Sequence, residues 1–276
     1  MAGNSAAPGQ SVTGKAFQIL EAFAGERTAL TMSEIARATG LPSSTVHRLI
    51  QELVVWGGLE RTTGGRYVVG VHLWEIAARS TRTYGVRETA MPFLQGLWET
   101  TKAHVLLAVL EGDQALLVER IAGTRNVPEA GRAGGRLPLH ASSAGKILLA
   151  YTDTQLRQTV LEGPLPAFTP KTITDPAVLA RELEQVRQQG VATSQEELTI
   201  GSYSCAAPVF GPPEAGIAAL SLLSTPGARN AEELKVLVQM TARGLTNALA
   251  QHQGRSSISP RLRHMAARPA PPLDSP

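Results

Sequence analysis

The sequence predicts an α+β protein in two parts: an N-terminal winged helix-turn-helix and a C-terminal α/β domain, with a helix between them. Residues 13–70 hold three short amphipathic helical segments and then a Gly-Gly hairpin signal. From about residue 104 the apolar residues change to the period of strands. Strand-like runs then alternate with capped helices to about residue 251.

Residues 1–12 carry no charge and no periodicity, which predicts a disordered arm. Ala16, Ile19, Leu20 and Phe23 then fall on one helical face. Thr31 followed by Glu34 is a capping box, and Gly40 is a fitting stop for a second helix with Ile35, Ala36 and Thr39 turned inward. In the third helix Pro42 suits the first turn, and Ser43 or Ser44 is expected to cap it. Val46, Leu49, Ile50 and Leu53 make its buried stripe. Leu59 to Arg61 and Arg66 to Val69 read as strands around "TTGG".

The opposite face of the third helix carries Ser44, His47, Arg48 and Gln51, all hydrogen-bonding groups. A helix that reads DNA must bury one face in its own domain and offer short polar or basic side chains to base edges on the other. Ser43, Ser44 and Thr45 at its N-terminus are placed to bind phosphate through hydroxyls and backbone N–H groups. His47, Arg48 and Gln51 are candidates for base edges, and Arg61 and Arg66 flank the wing tip. The alternative is a packed helical hairpin with a solvated polar face.

Bulk charge does not carry the DNA reading. The net charge is +3, but residues 251–276 hold four arginines against one aspartate. Residues 14–80 hold seven basic and six acidic groups, so an interface there must rest on geometry.

"VHLWEIAARSTRTYG" and "VRETAMPFLQGLWETTK" follow, both helix-like, with Pro92 near the start of a turn. "HVLLAVL", "EGD" and "QALLVERIA" read as strand, turn, strand, and "HASSAGKILLAYT" as loop into helix. Residues 163–173 form a Pro/Thr-rich loop. Asp175 and Pro176 open a helix with Leu179, Leu183 and Val186 inward and Gly190 at its end. "GSYSCAAPVF" and "GIAALSLLS" are strands, and Asn230 with Glu233 caps a last helix. The tail beyond it is expected to be disordered.

The balance of 43% hydrophobic and 18% charged residues is that of a soluble globular chain of 276 residues, and no apolar run reaches membrane-spanning length. The N-terminus lacks the pattern of a secretory signal, and a single cysteine forms no intramolecular disulfide, so a cytoplasmic protein without membrane contact is expected. The six histidines, at 47, 72, 104, 140, 252 and 264, show no ligand spacing. No metal site, cofactor or enzymatic activity is expected, and no GxSxG is present. Cys205 has no basic neighbour in sequence to make it a thiolate, and a buried free thiol is the commoner case. His140 and Ser142 do not make a triad.

Ser143, Ala144 and Gly145 sit at a loop-to-helix junction. Small residues there leave backbone N–H groups open to an anion, which the helix dipole favours. An ordinary tight junction is the other reading.

Several motifs in order resemble the IclR family of bacterial transcriptional regulators across residues 12–250. They are "VTGKAFQILEAF", "MSEIARATGLPSSTVHRLIQELVVWGGLER", "RYVVGVHLWEIAA", "LPLHASSAGKILLA" and "EELTIGSYSCAAPVF" followed by "AALSLL". The resemblance implies a GAF-like α/β effector domain, a linker helix, and DNA binding as a dimer or a tetramer of dimers. It adds Lys15, where the family usually has a basic residue. It also implies an effector pocket from Asn126, Glu129, Leu137, Ser143, Ala144, Gln195, Tyr203, Cys205, Ser221 and Leu223. Tyr203 and Cys205 share one side of a strand, as do Ser221 and Leu223. Gln195 is a neutral amide where an acidic or polar group is common, and Glu129, if turned inward, disfavours a small carboxylate.

The expected organisation is an arm over 1–12, a winged helix over 13–70, a linker helix over 71–85, an effector domain over 86–251 and a tail over 252–276. The linker offers Val71, Trp74, Ile76 and Ala78 as dimer contacts. The expected function is a ligand-responsive regulator, a repressor, binding double-stranded operator DNA as homodimer or homotetramer and answering to a small metabolite, an organic acid. The rivals are an enzyme using Cys205 or His140, and a DNA-binding or scaffold protein whose second domain only oligomerises.

Overall fold

A computed structural model describes residues 11–25, 27–77, 81–124, 127, 131–211 and 216–257, the side chains of 81–85 and 252–257 excepted. The chain divides into two compact units between Tyr84 and Gly85.

The first unit opens with α1 (Val12–Glu21), capped by Ser11, whose hydroxyl accepts from the Gly14 N–H; a short 3-10 turn, Ala22–Ala24, follows. Helix α2 (Met32–Thr39) starts at the expected capping box. The Glu34 N–H donates to the Thr31 hydroxyl, and the Glu34 carboxylate accepts from the Thr31 N–H at 2.8 Å. It ends at Gly40 in the left-handed conformation, φ 68°. Helix α3 (Ser43–Trp56) follows, then strands β1 (Leu59–Arg61) and β2 (Tyr67–Val69), paired antiparallel with Leu59 opposite Val69. Leu30 adds a bridge to Tyr67. Ile19, Phe23, Ile35, Val46, Leu49, Ile50, Leu59 and Tyr67 form this unit's core. A Cβ on Gly70 would lie 2.0 Å from the Gly57 carbonyl oxygen, so a side chain there would drive the wing off the end of α3.

Helix α4 (Val71–Ala77) follows, with Trp56 and His72 edge to face at 5.0 Å. Helix α5 (Thr81–Thr101) contains Pro92, which therefore lies inside a helix and not near a turn. Its missing N–H costs one intrahelical bond, which burial of Ala90, Leu94 and Leu97 offsets.

The second unit is a six-stranded antiparallel sheet between two helical layers. The strand order is β5 (Arg136–Pro138), β4 (Gln114–Ile121), β3 (His104–Glu111), β8 (Ile217–Ser224), β7 (Tyr203–Phe210), β6 (Ala192–Gln195). On one face α5 and α9 (Ala231–Ser257) pack over Val105, Leu107, Cys205, Ala207, Leu220 and Leu222. On the other, α6 (Ser143–Tyr151) and α8 (Pro176–Gln189) pack over Leu106, Ala108, Ala206 and Ala219. Helix α7 (Thr154–Glu162) links α6 to the loop before α8. Helix α9 runs to Ser257, past the point where a disordered tail is expected to begin. The residues between, 252–257, include no proline to end it.

Candidate nucleic-acid interface and ligand cavity

Helix α3 has the two faces its sequence demands. Val46, Leu49 and Ile50 are buried to within about 1% of full exclusion, while Ser43, Ser44, His47, Arg48 and Gln51 are exposed and Thr45 is half-buried. The N-cap is Pro42, which makes no side-chain cap; the expected serine cap does not form because the helix already begins at Ser43. The Val46 N–H bonds to the Pro42 carbonyl, which leaves the N–H groups of Ser43, Ser44 and Thr45 without an acceptor in the helix. That end of α3 is open to an anion.

Arg48 reaches Glu52 at 2.6 Å, an exposed pair one turn along. Arg61 lies 6.0 Å over the Tyr67 ring. Arg66 is differently committed. Its guanidinium bonds the Glu34 carboxylate at 3.0 Å and the Ala29 carbonyl at 3.2 Å, so it pins the wing to α2. Lys15 is half-buried on α1. Val71, Trp74 and Ile76 on α4 are 61, 65 and 51% exposed, and Ala78 lies outside the described residues.

In the second unit a cavity of about 40 Å³ lies between the sheet and the N-terminus of α6. Leu137, Ser143, Ala144, Ser221 and Leu223, which the family resemblance assigns to an effector pocket, line it. Ser142 caps α6, accepting from the Gly145 N–H at 3.0 Å and donating to the Pro138 carbonyl at 2.8 Å. The Lys146 N–H bonds the Ser142 carbonyl, so the N–H groups of Ser143 and Ala144 have no acceptor within the helix. A Cβ on Gly145 would lie 2.4 Å from the Pro138 carbonyl oxygen; only glycine lets this helix start so close to the preceding strand. Ser143 and Ser221 share a hydrogen bond of 3.1 Å between hydroxyls.

Tyr203 and Cys205 do not line this cavity. Cys205 pairs with Leu222 and Ser204 with Leu223, so Tyr203 and Cys205 face the α5–α9 layer while Ser204 faces the cavity. Gln195 pairs with Tyr203 and is exposed; its neighbour Ser194 pairs with Ser204 and lines the cavity. Both departures are one-residue slips, and in a strand such a slip exchanges the faces. Ser202, Ser204 and Ser194 stand where Tyr203, Cys205 and Gln195 are expected, together with Leu106, Leu198 and Thr199. The strict alternation of serine against apolar residues through "SYSCA" is the signal that finds them. Asn126 and Glu129 lie outside the described residues.

Burial pushes the Cys205 thiol up to about 12, so it is neutral and unreactive at physiological pH. Tyr203, on the same face, is raised by burial as well, and its hydroxyl has no partner among the described residues. His140 bonds the Pro166 carbonyl at 3.0 Å and stacks on Phe168. No group of three metal-ligating residues occurs among the described residues, and none of their helices is long and apolar enough to cross a membrane.

A winged helix followed by a sheet domain with its own cavity defines a DNA-binding regulator class. Residues 12–63 match the IclR helix-turn-helix domain, and residues 78–247 match the bacterial transcriptional regulator IclR C-terminal domain. The chain is 33% identical over 210 residues to the HTH-type transcriptional regulator XynR of Escherichia coli, spanning 75% of this chain and 83% of that one. It is 29% identical over 217 residues to the transcriptional repressor IclR of Escherichia coli, spanning 77% and 79%. Among solved structures, an IclR homologue of Microbacterium hydrocarbonoxydans complexed with 4-hydroxybenzoate is 34% identical, with a TM-score of 0.82 over 87% of this chain and 100% of that one. The chain belongs to the IclR family: it is a DNA-binding transcriptional regulator and not an enzyme.

Proposed function

We propose that this regulator is a cytoplasmic repressor that binds a pseudo-palindromic operator as a homodimer or a tetramer of dimers and answers to an organic acid. The exposed face of α3, with Ser43, Ser44, His47, Arg48 and Gln51, meets base edges and phosphates, helped by Arg61 and Lys15. Arg66 contributes at most its outer edge, since Glu34 holds it. The exposed apolar side chains Val71, Trp74 and Ile76 supply dimer contacts.

The observation that carries the effector reading is the cavity at the start of α6. Two helix N-terminal N–H groups and a ring of hydroxyls converge there with leucines opposite, the lining that a small acid needs. Its open volume is room for a few non-hydrogen atoms, which favours a short acid over an aromatic one. The acid shifts operator affinity by as much as it binds the two arrangements of the protein differently. Repression rather than activation is supported by the similarity to a named repressor.

A genome-fragment pull-down with the purified protein, repeated across salt concentrations, tests this. One or a few palindromic sites that survive moderate salt are expected, and each should be released by an acid that also raises Tm. Recovery only of fragments lost as salt rises would reduce α3 to a nonspecific binder or a packing element.

A further inference from the structure

Strand β4 carries a cation, Arg120, with no acidic partner among the described residues. Its ladder with β3 is regular from Glu111–Gln114 to Ala108–Leu117, and then slips by one residue. Val118 is the extra residue, and beyond it Glu119 pairs with Leu107 and Arg120 with Leu106. Without the slip, Ala115, Leu117 and Glu119 would share the cavity face. With it, Glu119 joins the α5 side, where it pairs with Arg87 at 2.6 Å, and Arg120 turns to the face of Leu106. Bulges of this kind re-aim side chains beside binding sites.

Leu106, the cross-strand partner of Arg120, lines the cavity, and so does Leu223, the cross-strand partner of His104. The Arg120 guanidinium lies 3.2 Å from His104 Nδ1. That nitrogen also accepts from the Gly123 N–H at 3.0 Å, so it is the unprotonated nitrogen of a neutral ring. Arg120 Nε is fully buried and has no hydrogen-bond partner among the described residues, and no acidic side chain of those residues pairs with the guanidinium. A guanidinium holds its charge at any physiological pH. Arg120 is half-buried beside Leu106, and a charge partly withdrawn from water is held best by an opposite charge.

We infer that Arg120 is the cationic anchor of the effector, aimed by the bulge at Val118 to pair with the carboxylate of a small organic acid. This rests on the reading of the cavity as the effector site and narrows it: the acid must be ionised, and the primary amide of the same acid must fail. His104 is a positioning residue, holding the guanidinium through Nδ1.

The test uses the full-length protein with a panel of sodium carboxylates (acetate, pyruvate, succinate and 4-hydroxybenzoate) and the corresponding amides. Thermal shift and calorimetry are read on the wild type, R120M, R120K and the cavity-wall variant S221V. At least one carboxylate is expected to raise the wild-type Tm while its amide does not. R120M should bind that acid at least 100-fold more weakly, R120K less so. In the absence of acid, R120M should melt at or above the wild-type temperature, since it removes a half-buried charge that has no carboxylate beside it among the described residues; an arginine with a merely structural role would lower it. An acid lost in S221V but kept in R120M overturns the anchor and leaves the cavity reading standing. An acid kept in both variants overturns the cavity reading as well. Binding of an amide as tight as its acid, or no binding by any acid, overturns the anchor.

Discussion

Lys146 is wholly excluded from solvent, and its Nζ lies 2.7 Å from the Glu197 carboxylate. The same ammonium reaches Glu182 of α8 at 2.5 Å and the Thr193 carbonyl at 3.2 Å. One residue of α6 thus ties together α8, β6 and the loop after β6, and that loop supplies Leu198, Thr199 and Ser202 to the cavity. Removing Lys146 leaves the nearly buried Glu197 without its cation, while Glu182 keeps some contact with water. K146M is therefore expected to cost about 3–5 kcal/mol in urea unfolding. Replacing Lys146, Glu182 and Glu197 together by apolar residues of similar volume should recover most of that loss. A K146M penalty under about 1 kcal/mol would show that the two carboxylates find water or protons without the lysine.

The pH dependence of this cluster has a definite sign. Burial raises the pKa of Glu197 above its ordinary 4.5, against the pull of Lys146. The folded protein keeps that proton to higher pH than the unfolded chain does. Glu197 therefore adds stability below pH 4.5 and withdraws it as pH rises through its folded pKa. Glu34 is the opposite case. Hydrogen bonds from Thr31, chiefly its backbone N–H, lower its pKa, so its contribution is present above pH 4.5 and lost as pH falls through the folded value. Melting curves from pH 4 to 7.5 should show E197Q gaining on the wild type as pH rises and E34Q losing ground. The reverse order for E197Q would mean that Lys146 outweighs burial.

The local signals of the sequence are faithful wherever one element decides the outcome by itself. The Thr31–Glu34 box, Gly40, Asp175 and Gly190 each act within a single helix end, and the structure has them all. The apolar stripe of α3 is equally local. Where neighbours decide, the reading drifts. Which face of β7 meets the cavity depends on its pairing with β8, and a slip of one residue put Tyr203 and Cys205 in place of Ser202 and Ser204. The bulge at Val118 leaves no mark in "QALLVERIA", because it exists only in the register with β3. Lys146 is the clearest case: nothing in "AGKILLA" marks it, because its partners lie 36 and 51 residues further on. Strands β5 and β6, three and four residues long, and helix α7 have too little pattern of their own to stand out.

Cys205 separates the two faces of the sheet experimentally. It is fully buried, and its thiol is raised to about 12. Native protein at pH 8 should react with a disulfide reagent only as fast as it opens, while urea-unfolded protein reacts at once. C205A should lower stability modestly, by about 1 kcal/mol, and leave acid binding unchanged. Protection of the thiol by an acid that does not also raise Tm would return Cys205 to the cavity.

The placement of the DNA-reading helix rests most directly on Arg48. Its side chain is 56% exposed, and its ion pair with Glu52 spans one turn of the same helix. Such exposed pairs contribute about 0.3–0.5 kcal/mol, so R48A should leave the urea midpoint nearly unmoved. The same change removes a side chain suited to bidentate contact with guanine, and operator affinity should fall by about 1–3 kcal/mol. Arg66 supplies the control. It has similar exposure, but it is bound to Glu34 and to the Ala29 carbonyl, so R66A should act first on stability and only secondarily on DNA. Anisotropy with a labelled operator at physiological salt, run beside urea titrations, resolves the pair. If R48A kept full operator affinity while R66A lost it without unfolding, the wing and not α3 would be the element that reads the sequence.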